Sequence, residues 1–180
     1  MPKPNLAADE FVAAFARHGR TLWLLAAAWV GGGEAADLVQ ETARIAWQRR
    51  DSCRAGSDIG AWLAQIVRHT GANWRRKRRP EATDPALLQP LAAGAPAIGA
   101  GVVDVERLPD AVARALQSLP EVARACLLLQ VVGGMTFPEI ATMLDLPENT
   151  AMSHARRARL ALRSALGVEA TAPHPVVEAP

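Results

Sequence analysis

The chain has 180 residues, a mass of 19.2 kDa, 50% hydrophobic and 21% charged residues, a formal net charge of +2 and a pI near 8.9. That length fits one ordinary domain or two small ones, and the apolar half can bury a core, which excludes a chain disordered throughout. The longest uncharged stretch near the N-terminus, Thr21 to Gly33, is too short to span a bilayer, and the polar start Met1–Glu10 lacks the pattern of a secretory signal, so the expected location is the cytosol.

The elements read as helices, because β-branched alternation is almost absent while Ala, Leu and Arg abound. Phe11, Phe15 and Leu22 open a first helical region that runs into LWLLAAAWV and stops at Gly31-Gly32-Gly33. A second helix is expected from Asp37 to Arg50, with Leu38, Ile45 and Trp47 among its apolar residues and Arg44, Arg49 and Arg50 among its polar ones. A polar loop, Asp51–Asp58, follows. Ile59, Trp62, Leu63, Ile66 and Val67 then fall at i, i+3, i+4, i+7 and i+8, which is amphipathic-helix spacing. This helix ends in the basic run Arg75-Arg76-Lys77-Arg78-Arg79, and Pro80 stops it.

Arg68, Arg75 and Arg79 share one face of that helix, with Asn73 and Arg76 beside it and Trp74 interleaved. Such a surface neutralises phosphates, and an aromatic side chain there can stack on an unpaired base. Packing in the helix core is the other reading of Trp74. All five tryptophans (23, 29, 47, 62 and 74) lie in this half, which fits a packed bundle better than five binding platforms.

The charge is unevenly spread. Residues 1–80 hold 13 Lys and Arg against 7 Asp and Glu, whereas residues 81–105 hold three acids and no base. The latter piece, EATDPALLQPLAAGAPAIGAGVVDV, is rich in Pro, Gly and Ala and has no period, so it reads as a linker between two small domains, 1–80 and 106–168. The second domain carries 7 Arg and 6 acids, and the Pro-rich tail, 169–180, reads as disordered.

Four shorter helices are expected in the second domain. Val112, Ala115, Leu116 and Leu119 mark the first; Pro120 opens the second, which ends near Gly133-Gly134. Thr136 and Glu139 form a T-x-x-E capping box that starts the third. The turn Asp145-Leu146-Pro147 leads into a long fourth helix, Glu148 to Leu166, and Asp145 fills a position where left-handed geometry is needed. Helix, tight turn and longer helix is the helix-turn-helix pattern. On the last helix Ala151, Ala155, Ala158 and Leu162 form an apolar stripe, while Asn149, Ser153, Arg156 and Arg163 point the other way, with Arg159 beside them. Arg suits guanine or phosphate and Asn suits adenine, so this face reads as a DNA-contacting one, to which His154 also belongs.

No catalytic constellation emerges. The glycine run lacks the G-K-[ST] ending of a phosphate loop, and the four histidines (18, 69, 154 and 174) form no H-E-x-x-H. Cys53 and Cys126 stand far apart and in no C-x-x-C pair, which excludes a disulfide framework and argues against zinc; no metal or cofactor is expected. Cys126, in the apolar run Ala125–Leu129, reads as core. Cys53 lies in a polar loop, where a redox role is the minor alternative to an inert thiol.

These residues together resemble a bacterial RNA polymerase sigma factor of the extracytoplasmic-function (ECF) type. Ala36-Asp37-Leu38-Val39-Gln40-Glu41-Thr42, ending at Trp47, is similar to the region 2 segment that docks on the polymerase β′ clamp helices. Ala61-Trp62-Leu63-Ala64-Gln65-Ile66-Val67-Arg68-His69 resembles the family's W-L-x-x-I-A-R-N helix, and Asn73 to Arg79 stand where it carries D-x-x-R-R-x-x-R. Leu119-Pro120-Glu121 with Arg124, Phe137 to Ile140-Ala141, and Leu146-Pro147 to Thr150, Ser153 and Arg157-Ala158-Arg159 follow region 4. The resemblance covers about residues 8–80 and 107–167, both in family order.

It implies an all-α protein of two helical domains that binds core polymerase and two promoter elements. The −35 contacts would come from Asn149, Thr150, Ser153, His154, Arg156, Arg157, Arg159 and Arg163 in the major groove. The −10 contacts would come from Arg54 and Asp58 in the loop, which captures an extruded base, and from Arg68, His69, Asn73, Trp74, Arg75, Arg76 and Arg79. Asp37, Gln40, Glu41, Arg44 and Trp47 would meet the polymerase. An anti-sigma partner is a further family expectation. The chain departs from the family pattern at Ala36, at Thr42-Ala43 in place of a bulky apolar pair, at His69, at Asn73 and at Met152, where a Lys phosphate contact is common. The alternative is a polymerase-independent helix-turn-helix regulator using residues 107–167 alone, which leaves the Asp37–Trp47 segment unexplained. A protein-interaction module that uses these surfaces only to bind a regulator is a third reading.

Overall fold

The structure, a computed structural model, describes residues 6–54, 56–78 and 108–167. The expected linker 81–105 and tail 169–180 lie outside the described residues, as do Arg79 and Pro80. In chain order the elements are α1 (Ala8–Val30), α2 (Gly32–Gln48), a 3-10 turn (Arg50–Ser52), α3 (Ile59–Arg78), α4 (Asp110–Gln117), α5 (Glu121–Val131), α6 (Phe137–Leu144) and α7 (Glu148–Ala165). The fold is all-α, with no strand among the described residues.

α1 is amphipathic at its start and buried nearly all round towards its end, where Leu22 and Leu24 to Trp29 are core residues. Gly31 breaks it with φ +89°, a conformation L side chains rarely adopt. α2 then restarts at once at Gly32, five positions before the expected Asp37. One left-handed glycine suffices to turn the chain. Gly32 and Gly33 are free to be helical, and the first-turn Glu34 favours the start through the helix dipole. The helix also ends sooner than expected, at Gln48, with Arg49 as its cap and Arg50 in the 3-10 turn.

Close approach of α1 and α3 depends on two other glycines. Gly60 and Gly71 are three turns apart and so lie on one face of α3. A Cβ on Gly60 would lie 2.6 Å from the His18 ring, and one on Gly71 would lie 2.8 Å from Trp29 Cβ. Side chains at these positions would push the helices apart. Leu63, Ala64 and Val67 fill the rest of that seam.

In the second half α5 is the central helix, buried from Ala123 to Leu129, and packs against α7, α6 and α1. Arg124 is only 3% exposed, yet it donates to Gln117 Oε1 (2.7 Å), Gln117 O (3.0 Å) and Leu119 O (2.8 Å), tying the end of α4 to α5. The box at the start of α6 forms as read, with the Glu139 carboxylate accepting from Thr136 N (2.8 Å) and Thr136 Oγ1 (2.7 Å). Asp145 is left-handed, at φ 53° and ψ 56°. The two sets of helices are packed on one another, α1 against α5 and α3 against α6, and one apolar cluster runs through both.

Candidate nucleic-acid interface

The alanine stripe of α7 anchors that helix: Ala151, Ala155 and Ala158 are buried against the α5–α6 layer. Small residues let the helix sit close and leave its opposite face clear. Asn149, Ser153, Arg156, Arg157, Arg159 and Arg163 are all exposed, while Thr150 and His154 are half-buried. Arg159 Nη2 donates to Gln130 Oε1 of α5 at 2.8 Å, and Arg157 Nε donates to Ser153 O at 3.2 Å. Arg156 and Arg163 have no partner among the described residues. Burial, with the nearby Arg157 charge, holds the His154 imidazole below its ordinary value, so it is neutral at physiological pH.

The second basic surface is only partly assembled. Arg54 and Asp58 are exposed in the loop before α3. Asp58 Oδ1 accepts from Ala61 N at 3.0 Å, so this side chain caps α3. His69, Asn73 and Arg76 are exposed, and Asn73 Oδ1 accepts from Arg76 Nη2. Arg75 is on the same helix.

Two members are engaged elsewhere. Trp74 is half-buried against the core and its indole donates to Glu34 Oε2 at 2.8 Å, so packing, rather than base stacking, is the reading the geometry favours. Arg68 is half-buried and donates to Leu144 O of α6 at 2.5 Å. Sequence reasoning missed both acceptors, Glu34 and Leu144, since each lies far along the chain from its partner.

The α2 residues share one outward face. Asp37, Gln40, Arg44 and Trp47 are exposed and Glu41 is half-buried, whereas Leu38, Thr42 and Ala46 on the opposite side are core. Arg44 is held to Glu41 by Nη2–Oε1 (2.6 Å) and Nε–Oε2 (2.8 Å) bonds, which raise the guanidinium pKa, and reaches Gln48 Oε1 at 3.2 Å. Trp47 is 41% exposed and braced on both sides, edge-on to Phe11 (5.4 Å between centroids) and under the Arg50 guanidinium at 4.4 Å. Thr42, in place of a bulky apolar residue, is tolerated because its buried hydroxyl donates to Leu38 O at 2.8 Å.

Both cysteines are free and buried. Cys126 is core as read, and burial pushes its thiol up to about 11. Cys53, read as a loop residue, is only 2% exposed because the 3-10 turn folds its segment against the core. Among the described residues no cluster of His, Cys, Asp and Glu could hold a metal, and no helix is long and apolar enough to cross a membrane.

The chain matches the family descriptions sigma-70 region 2 over residues 14–81 and sigma-70, region 4 over residues 110–162. It is 30% identical over 157 residues to the ECF RNA polymerase sigma-E factors of Salmonella typhimurium and Escherichia coli, covering 81% of this chain and 81% of theirs. Among solved structures it is similar to the sigma factor RpoE of Bartonella quintana in complex with the anti-sigma factor NepR. That match has a TM-score of 0.64 and 27% identity, covering 91% of this chain and all of the other. It is also similar to CnrH in complex with the cytosolic domain of CnrY, with a TM-score of 0.61, 25% identity, and 91% and 92% coverage.

Proposed function

The chain belongs to the ECF type of RNA polymerase sigma factors, which direct promoter recognition and transcription initiation, and from that premise we propose how its residues divide the work. It acts in the cytoplasm as a non-enzymatic specificity subunit of core polymerase. Residues 1–80 and 106–168 serve as two domains joined by 81–105. The exposed face of α2, centred on Asp37, Gln40, Glu41, Arg44 and Trp47, docks on the β′ clamp helices.

α7 enters the major groove at the −35 element. Arg156 and Arg163, without partners among the described residues, reach base edges or phosphates, while Gln130 orients Arg159 from behind. Arg54, the α3 residues His69, Asn73, Arg75 and Arg76, and Arg79 next in sequence meet the −10 element, and Asp58 shapes the loop by capping α3. Flipping a base there costs a few kcal/mol, which a pocket and backbone contacts offset. A regulator of the anti-sigma kind is proposed on the strength of the Bartonella complex.

The observation that carries the reading is the ordered pair of matched regions on one chain, with an exposed α2 face that a free-standing helix-turn-helix regulator would not need. Transcription in vitro with core polymerase, followed by start-site mapping, tests it. Discrete starts that depend on this chain are expected. Failure to co-elute with core would sink the reading, and operator binding without polymerase would favour the regulator alternative.

A further inference from the structure

One exposed residue of α7 has no place in that division of work. Met152 is 44% exposed, on a helix whose other side is buried through Ala151, Ala155 and Ala158. It heads a row, since Met152, Arg156, Arg159 and Arg163 fall at i, i+4, i+7 and i+11. No Lys or Arg precedes Arg156 on this helix. The exposed residues of its first two turns are therefore Glu148, Asn149, Met152 and Ser153. In a helix-turn-helix the N-terminal turns of the second helix meet base edges, while contacts to phosphate only position the protein. Met152 thus stands at the end of α7 that reads sequence.

We infer that Met152 is a specificity residue of the −35 contact and selects a thymine by packing on its C5-methyl group. This rests on the sigma-factor reading above and deepens it. A thioether side chain has no charge and no donor, so a phosphate gains nothing from it. Of the groups that base pairs show in the major groove, the thymine methyl is the apolar one. An unbranched side chain with three rotatable bonds can follow that methyl from a helix seated closely on alanines. Asn149 stands three positions earlier, at a Cβ spacing of about 5–6 Å, less than two base-pair rises of roughly 3.4 Å. Its amide suits adenine. Asn149 and Met152 therefore address one A·T pair or two neighbouring pairs. Arg156 and Arg163 flank them on the same helix, which makes this a surface for a polyanion and not for an apolar protein partner. Leu160 is 54% exposed as well, but it lies about two turns further on, beyond the end that reads bases.

The test uses holoenzyme and a promoter found by start-site mapping. Each thymine on either strand of its −35 element is replaced in turn by deoxyuridine, which deletes the C5-methyl and keeps the base pair. At one position the parent should bind roughly fourfold less tightly, the worth of one buried methyl group. Met152→Lys, a change at an exposed site, should bind the thymine and uracil duplexes alike. Met152→Leu should keep the preference, and Leu160→Ala should leave it unchanged. Equal binding of every thymine and uracil duplex by the parent overturns the inference. So does a preference that survives in Met152→Lys or vanishes in Leu160→Ala, and so does a −35 element without an A·T pair. In each of these cases discrete starts are still directed by the chain, and the sigma reading stands. A parent chain that directs no discrete starts from core polymerase fails that reading, and this inference falls with it.

Discussion

Glu139 is fixed by two bonds to one residue, accepting from both Thr136 N and Thr136 Oγ1. Those bonds favour its ionised form and hold its carboxyl below the ordinary range. The folded value is thus lower than the unfolded one. The box stabilises α6 fully above the unfolded carboxylate value and is lost as pH falls through the folded value. Thr136→Val keeps the backbone bond and removes the hydroxyl bond. An NMR titration should therefore show the Glu139 midpoint below an ordinary Glu in the parent and part of the way back up in the variant; an unmoved midpoint would contradict the box. Cys126 is governed by burial instead, and with its thiol at about 11 and Cys53 buried too, neither should react with a thiolate-selective reagent at pH 8 until urea unfolds the chain. Two equivalents should then be modified. The core place of Cys126 was legible from its apolar run. That of Cys53 was not, because a polar local sequence is buried there by a turn that only the tertiary fold defines.

At the scale of elements, the helices that were read best are those whose ends carry their own chemistry. Pro120, the Thr136–Glu139 box and Asp145 mark boundaries through local bonds and backbone angles, and α5, α6 and α7 begin and end close to where these signals stand. The start of α2 was missed because glycine is permissive: three in a row look like a stop, while only Gly31 takes the left-handed turn. The arginine face of α7 was legible from the alanine stripe alone. The fate of Trp74 was not, since its partner Glu34 is forty residues away and only the α2–α3 packing brings them together. The glycines of α1 and α3 give an element-level prediction. Gly71→Ala places a methyl group 2.8 Å from Trp29 Cβ and 2.9 Å from its Cγ and Cδ1, the rigid near end of a large side chain, and should cost roughly 1–3 kcal/mol. Gly33→Ala meets nothing within 4 Å in a helical segment and should stabilise by about 0.4–1 kcal/mol through the unfolded state. Urea denaturation of the two variants beside the parent checks both signs.

On the scale of the whole molecule, the net charge of +2 conceals an excess of six positive charges in residues 1–80, against a deficit concentrated in 81–105 and the tail. In the proposed division of work the first half relies on bulk charge, the basic run of residues 75–79. The second, with seven Arg against six acids, depends on sorting its arginines onto one face of α7. Sorting is not enough by itself, because Arg159 already has Gln130 and Arg157 has Ser153 O, whereas Arg156 and Arg163 have no such partners among the described residues. A guanidinium with no internal bond to surrender is the better phosphate ligand, and each phosphate neutralised releases condensed counterions. Binding of the holoenzyme to its promoter should therefore weaken steeply with salt. Replacing Arg156 and Arg163 together by Ala should flatten the slope of log K against log salt by about two units. Replacing Arg157 alone should flatten it by less than one. Fluorescence anisotropy of a labelled promoter across a salt series measures the three slopes. If the double variant keeps the parent slope, the exposed arginines of α7 do not lie on the phosphates, and the −35 contact must be made by another face of the second half.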